Sequence, residues 1–232
     1  MKAVVLSSGG IDSTTCLGMA VEKYGKENVI ALSLYYGQKH HKEIEASNKV
    51  AEYYGVEHIT KKIDNIFDLS NCSLLEKSDE EIPHKSYAEQ IEEDGMVKTY
   101  VPYRNGTILS IAATIATSLF PNQEVEIYYG AHSDDAAGNA YADCSTEFIE
   151  AQTLAIRLGT YNKVNVVAPL AKLNKSQVVK IGLDYLEDKV PYELTWSCYE
   201  GKEKQCGTCG TCIDRKKAFE DNGVEDPVGY EN

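Results

Sequence analysis

Seven residues, Ser7-Ser8-Gly9-Gly10-Ile11-Asp12-Ser13, constrain this chain more than any others. They follow a short apolar run that reads as a buried strand from Lys2 to Leu6, and they precede a helical pattern from Thr14 to Tyr24. A strand that turns through paired glycines straight into a helix belongs to a parallel α/β architecture. The glycines let the backbone turn tightly and approach a bulky anion with no Cβ in the way. The helix start aims free N–H groups and the positive end of its dipole at the same point. Ser8, Ser13 and Thr14 add hydroxyls, and the whole makes a phosphate cradle. It is neither a Walker A loop, which needs four residues between its glycines and a Lys-Ser/Thr ending, nor a dinucleotide GxGxxG turn.

The rest of the chain repeats the alternation. Strands are expected at Val29–Tyr35, His58–Ile63, Glu124–Ala131 and Val164–Ala168. Helices are expected at His41–Tyr54, Gly106–Leu119, Thr146–Leu158 and Lys175–Leu186, with a last short one at Asp214–Asp221. Residues 68–100 break the pattern. They are acidic, with Asp79-Glu80-Glu81 and Glu92-Glu93-Asp94, and show no sustained period, which reads as a lid insertion or a solvated loop. The simplest organisation is one α/β domain over 1–190 with a tail over 191–232.

Charge and hydropathy narrow the setting. Thirty-six acidic residues against 23 basic ones give a formal charge of −13, the wrong sign for a protein that grips a nucleic-acid backbone. The first apolar run is too short for a signal peptide or a membrane span, so a cytoplasmic protein with no membrane association is expected.

Four of the seven cysteines, Cys198, Cys206, Cys209 and Cys212, fall within fifteen positions of a glycine-rich turn. Four soft ligands so spaced suit a closed tetrahedral zinc site. An iron–sulfur cluster and CxxC redox chemistry are the competing readings. Cys16, Cys72 and Cys144 are scattered and read as small buried side chains.

In an open parallel sheet, ligands sit beyond the carboxyl ends of the strands. Tyr36-Gly37-Gln38 and Gly130-Ala131-His132-Ser133-Asp134-Asp135 fall there. With these segments, the loop resembles the SGGxDS motif of the PP-loop ATP pyrophosphatases, the superfamily of GMP synthetase, NAD synthetase and asparagine synthetase. The resemblance implies a Rossmann-like adenine nucleotide alpha-hydrolase fold on a parallel five-stranded sheet with a C-terminal zinc-binding segment. It also implies ATP and Mg2+, with AMP transferred to a substrate oxygen. Nucleotide binding then falls to Ser7, Ser8, Gly9, Gly10, Ile11, Asp12, Ser13, Thr14, Thr15, Cys16 and Leu17, with Gln38, Asp134 and Asp135. Asp12, Ser13 and Lys175 are the expected catalytic groups.

Three more segments carry a narrower likeness: Val101 to Gly106, Tyr141 to Phe148, and Pro191 to Tyr199 running into the cysteines. With the loop they resemble the 7-cyano-7-deazaguanine synthase family over essentially the whole chain. That implies 7-carboxy-7-deazaguanine and free ammonia as substrates, ATP used for two successive adenylations, and a homodimer. Arg104, Asn105, Tyr141, Asp143 and Glu147 are the candidates for reading the deazapurine. The chain departs from the family's common pattern at Tyr103, at Gly106 and over 136–140.

Overall fold

Along β1 (Lys2–Leu6), successive side chains are buried on opposite faces. Ala3 and Val5 join one apolar cluster, and Val4 and Leu6 join another. β2 (Val29–Tyr35) repeats this, with Val29 and Ala31 on the first side and Leu32 and Leu34 on the second. A strand buried on both faces needs a covering layer on each. The computed structural model, which describes residues 1–63, 65–136, 141–184, 186 and 189–231, supplies both.

β3 (Glu57–Lys62), β4 (Val125–Tyr128) and β5 (Val164–Val167) complete a five-stranded sheet of order β3-β2-β1-β4-β5. Every pairing is parallel. On one face lie α1 (Ile11–Tyr24), α2 (Lys42–Tyr54), α7 (Lys175–Asp184) and α8 (Gly210–Asp221). On the other, α4 (Arg104–Leu119) and α6 (Thr146–Gly159) bring Leu109, Ala112, Ala116, Ile149 and Ile156 onto the sheet. The expected α/β class and five parallel strands are what the chain adopts. The strand order reverses direction at β1, so the crevice beyond its carboxyl end is the topological switch point where such sheets bind ligands.

Several boundaries differ from the sequence reading, each for a local reason. α1 begins at Ile11, not Thr14, which puts Asp12 inside its first turn where a carboxylate suits the helix dipole. α8 begins at Gly210, not Asp214, so Cys212 is helical. The stretch 68–100 is not without regular structure. It carries α3 (Tyr87–Asp94), opened by a capping box in which Ser86 and Glu89 bond each other's backbone N–H. Ser133–Ala136 forms one short helical turn, α5. Leu74, Leu75 and Ile82 of the insertion, with Phe67 just before it, pack around the four buried cysteines, with Trp196 and Tyr199 against the same cluster.

Candidate active site

Gly9 has φ +75°, a conformation that favours glycine. A Cβ there would lie 2.5 Å from the carbonyl oxygen of Glu43 and 2.6 Å from the nitrogen of Ser47. This glycine therefore serves the close packing of the loop against α2, whereas Gly10 lines the open cleft. The carbonyl of Gly9 accepts from Trp196 N at 2.8 Å, which ties the loop to the C-terminal segment. Ser13 Oγ accepts from Ser8 N at 3.2 Å and donates to Gly10 O at 3.3 Å, so the loop's hydroxyls are held in place. Beneath them, Ser47 Oγ donates to Ser7 Oγ at 2.7 Å, and Ser33 Oγ bonds both Ser7 O and the His58 ring.

Lys175 reaches the same point from α7. Asn174 and Gln177 cap that helix reciprocally, at 2.8 and 2.9 Å, and so fix Lys175 as its first residue. Its Nζ lies 2.5 Å from Asp12 Oδ2, with His132 Nε2 3.4 Å from Nζ and 3.9 Å from the same carboxylate oxygen. Burial alone would raise the Asp12 carboxyl, but the charges of Lys175 and His132 outweigh it and hold the group below its ordinary value. The result is a fixed anion beside a shielded ammonium at the mouth of the phosphate loop.

The cleft runs from this cluster past Tyr36 and Glu43 to Arg104, Tyr87, Tyr141 and Tyr199. Arg104 donates from Nη1 to Tyr36 Oη at 3.2 Å and from Nε to Asn105 Oδ1 at 3.2 Å. Tyr87 and Tyr199 join hydroxyls at 2.8 Å, and the Tyr87 ring meets Tyr141 edge-on at 5.7 Å. Thr99 fixes the Tyr141 hydroxyl at 2.6 Å. Burial holds the phenols of Tyr36, Tyr87 and Tyr199 above their ordinary range, so all three stay neutral donors. A planar ring has aromatic walls here, and an anionic group has a guanidinium.

The expected residues divide. Ser7, Ser8, Gly10, Ile11, Asp12, Ser13, Gln38 and Lys175 line the cleft, as do Arg104, Asn105 and Tyr141. Thr14, Thr15, Cys16 and Leu17 do not. They are fully buried, with Cys16 and Leu17 in the core and Thr15 bonded to Ile11 O and the Tyr192 hydroxyl. Asp143 is buried behind Asn105, where Oδ2 accepts that residue's backbone N–H at 2.9 Å and anchors the start of α4. Glu147 is exposed in the first turn of α6 and lies outside the cleft lining. Asp134 Oδ2 accepts from Lys175 N at 2.8 Å, so that oxygen serves a helix start. Asp135 falls in α5, and its side chain, like residues 137–140, lies outside the described residues. Tyr103 and Gly106 explain one another, because a Cβ at Gly106 would come 2.5 Å from the Tyr103 ring. Glu43, Tyr87 and Tyr199 were not anticipated.

At the cleft's outer wall the four cysteines converge. Their sulfurs lie within 4.8 Å of one another, all buried. Backbone N–H groups of Glu200 and Cys206 point at Cys198 Sγ, and those of Thr208 and Cys209 at Cys206 Sγ, at 3.2–3.4 Å. Backbone donors so placed are the surroundings that metal-bound sulfurs use, and the set fits a metal ion. No helix among the described residues is long and apolar enough to cross a membrane.

Residues 2–223 match the family described as queuosine biosynthesis protein QueC. The 7-cyano-7-deazaguanine synthase of Archaeoglobus fulgidus is 43% identical over 229 residues, 98% of this chain and 90% of the relative. That of Marinomonas sp. is 42% identical over 231 residues, 99% of this chain and 98% of the relative. Among solved structures, NMN synthetase from Francisella tularensis is similar at 18% identity and a TM-score of 0.49, over 97% of this chain and 78% of that one.

Proposed function

The chain belongs to the QueC family of queuosine biosynthesis proteins, and on that premise we propose that it performs the reaction its relatives are named for. The substrates are 7-carboxy-7-deazaguanine, ammonia and ATP, and the product is 7-cyano-7-deazaguanine. The observation that carries the reading is one cleft with a phosphate loop and the Asp12–Lys175–His132 cluster at one end, and Arg104 among tyrosines at the other. A carboxylate has no good leaving group, and transfer of AMP to its oxygen provides one. Ammonia then gives the amide, and a second transfer to the amide oxygen prepares loss of AMP to the nitrile.

Each group has a part in this scheme. Ser8, Gly10 and Ser13 hold the departing pyrophosphate, and Lys175 lies where its charge accumulates. Arg104 orients the carboxylate, and the tyrosines bracket the deazapurine and keep out water that would hydrolyse an adenylate. Asp12 Oδ1, buried and without a hydrogen-bond partner among the described residues, would hold Mg2+, which supplies charge neutralisation on the pyrophosphate when bound. The four thiolates would hold Zn2+, and a closed site of that kind is structural.

In this proposal residues 1–190 form the nucleotide-binding domain, with 68–100 as a lid insertion and 191–232 as its metal-bound tail. The apolar cluster shared by insertion and tail supports treating both as one wall of the cleft. A homodimer in the cytoplasm, with no nucleic-acid partner, completes it. The experiment that tests the reading is exchange of labelled pyrophosphate into ATP. It should depend on 7-carboxy-7-deazaguanine and be lost in Asp12→Asn with the fold intact. Exchange that ignores the acid refutes the assignment.

A further inference from the structure

Glu43 lies in the first turn of α2 against the phosphate loop, its carbonyl oxygen facing Gly9, and its side chain lines the cleft on the side of Arg104 and Tyr36. It therefore stands between the end that takes pyrophosphate and the end that takes the ring, which is where the reacting carbon must lie. Among the described residues no hydrogen bond or ion pair engages its carboxylate, although the site around it is closely bonded. The cleft's other described carboxylates are Asp12, which Lys175 holds, and Asp214 on α8.

We infer that Glu43 is the general base that takes protons from the substrate nitrogen, a role that rests on the reaction proposed above. The chemistry demands such a group. When ammonia adds to the carboxyl adenylate, the nitrogen becomes an ammonium. One N–H proton must pass to a base as the C–O bond to AMP breaks with its electron pair. When the amide oxygen is adenylated, the carbon carries an =NH2+ group. A first proton leaves to give the neutral imidate. The second leaves as the C–O bond to AMP breaks and the nitrile's third C–N bond forms. Glu43 accepts each proton and returns it to solvent between steps, so AMP, pyrophosphate and proton are all accounted for.

Burial pushes the Glu43 carboxyl up to about 6, with the Arg104 charge opposing that rise. Such a group is ionised at neutral pH and close enough to it to exchange protons readily. Arg104 from α4 and Tyr36 from the end of β2 are the charged and titratable groups that face it among the described residues, and the Tyr36 phenol stays neutral. The turnover rate should accordingly fall as the pH drops through about 6.

The test uses the full chain with the amide, 7-amido-7-deazaguanine, plus ATP and Mg2+, so that ammonia's own ionisation plays no part. Glu43→Gln should lower kcat for nitrile formation by about 100-fold or more, with KM for the amide within a few-fold of wild type. Acid-dependent pyrophosphate–ATP exchange, which moves no nitrogen proton, should persist in that variant. Glu43→Asp should recover part of the rate, and the acidic limb of the wild-type pH profile should be missing from Glu43→Gln. A Glu43→Gln rate near wild type overturns the role. So does parallel loss of exchange and nitrile formation, which would make Glu43 a framework residue, or a change confined to KM, which would make it a reader of the ring edge. Wild-type enzyme that makes no nitrile overturns the reaction itself, and the role with it.

Discussion

Replacing Asp226 by Asn should cost this protein a large part of its stability, because it strips the counter-charge from a guanidinium with no access to water. Arg215 is fully buried and Asp226 is 7% exposed. Their two bonds form a fork, Nε to Oδ2 at 2.8 Å and Nη2 to Oδ1 at 2.9 Å. Nη1 also donates to Thr195 Oγ1 at 2.7 Å and Ser197 Oγ at 3.2 Å, and Nη2 to Tyr192 O. The asparagine keeps the shape and leaves an uncompensated buried cation, which costs about 3–5 kcal/mol. With an unfolding slope of about 2–3 kcal/mol per molar urea, the midpoint falls by roughly 1–2.5 M. Arg215→Met combined with Asp226→Asn removes both charges. The double variant should be less destabilised than the sum of the singles, by about 1–3 kcal/mol. Urea melts followed by circular dichroism measure all four proteins. A loss below about 1 kcal/mol for Asp226→Asn, or strict additivity in the cycle, would refute the reasoning from buried charge. The cleft should suffer too, since Arg215 braces Ser197 in its wall.

Other consequences are more local. Gly9→Ala should destabilise the fold by at least about 2 kcal/mol and abolish ATP binding, because its Cβ meets the backbone of α2 and its φ is strained; calorimetry reads both. Lys175→Met should lower kcat by about 10²–10³-fold in a pyrophosphate-release assay and also lower the thermal midpoint, because the Asp12 carboxylate loses its counter-charge. Cys206→Ser should lose metal by elemental analysis and melt at a lower temperature, and a chelator should do the same to wild type.

What could be read from residue order was whatever depends on short-range spacing. The phosphate loop is a strand, two glycines and a helix start within a dozen residues, and the cysteine cluster is four residues within fifteen. Both are local, so both were visible. Thr14 to Leu17 adjoin the loop in the chain but do not line the cleft, because α1 is packed on nearly all sides and all four side chains are fully buried. Asp143 and Glu147 share a segment with Tyr141, yet one carboxylate turns under α4 and the other faces solvent. The capping box at Ser86 and Glu89 was a legible signal, masked by the acidic composition around it. Glu43, Tyr87 and Tyr199 carry no local mark. Only the tertiary fold, which turns α2, α3 and the cysteine segment toward one cleft, brings them together.

In the proposed reaction this one cleft adenylates an acid and then the amide derived from it. The direct measurement is mass spectrometry of the products formed from 7-carboxy-7-deazaguanine, ATP, Mg2+ and 15N-ammonium with the purified chain. The expected product is a nitrile carrying one 15N, with two AMP formed for each nitrile. Labelled amide as the end product, or AMP formed without dependence on the acid, would contradict it.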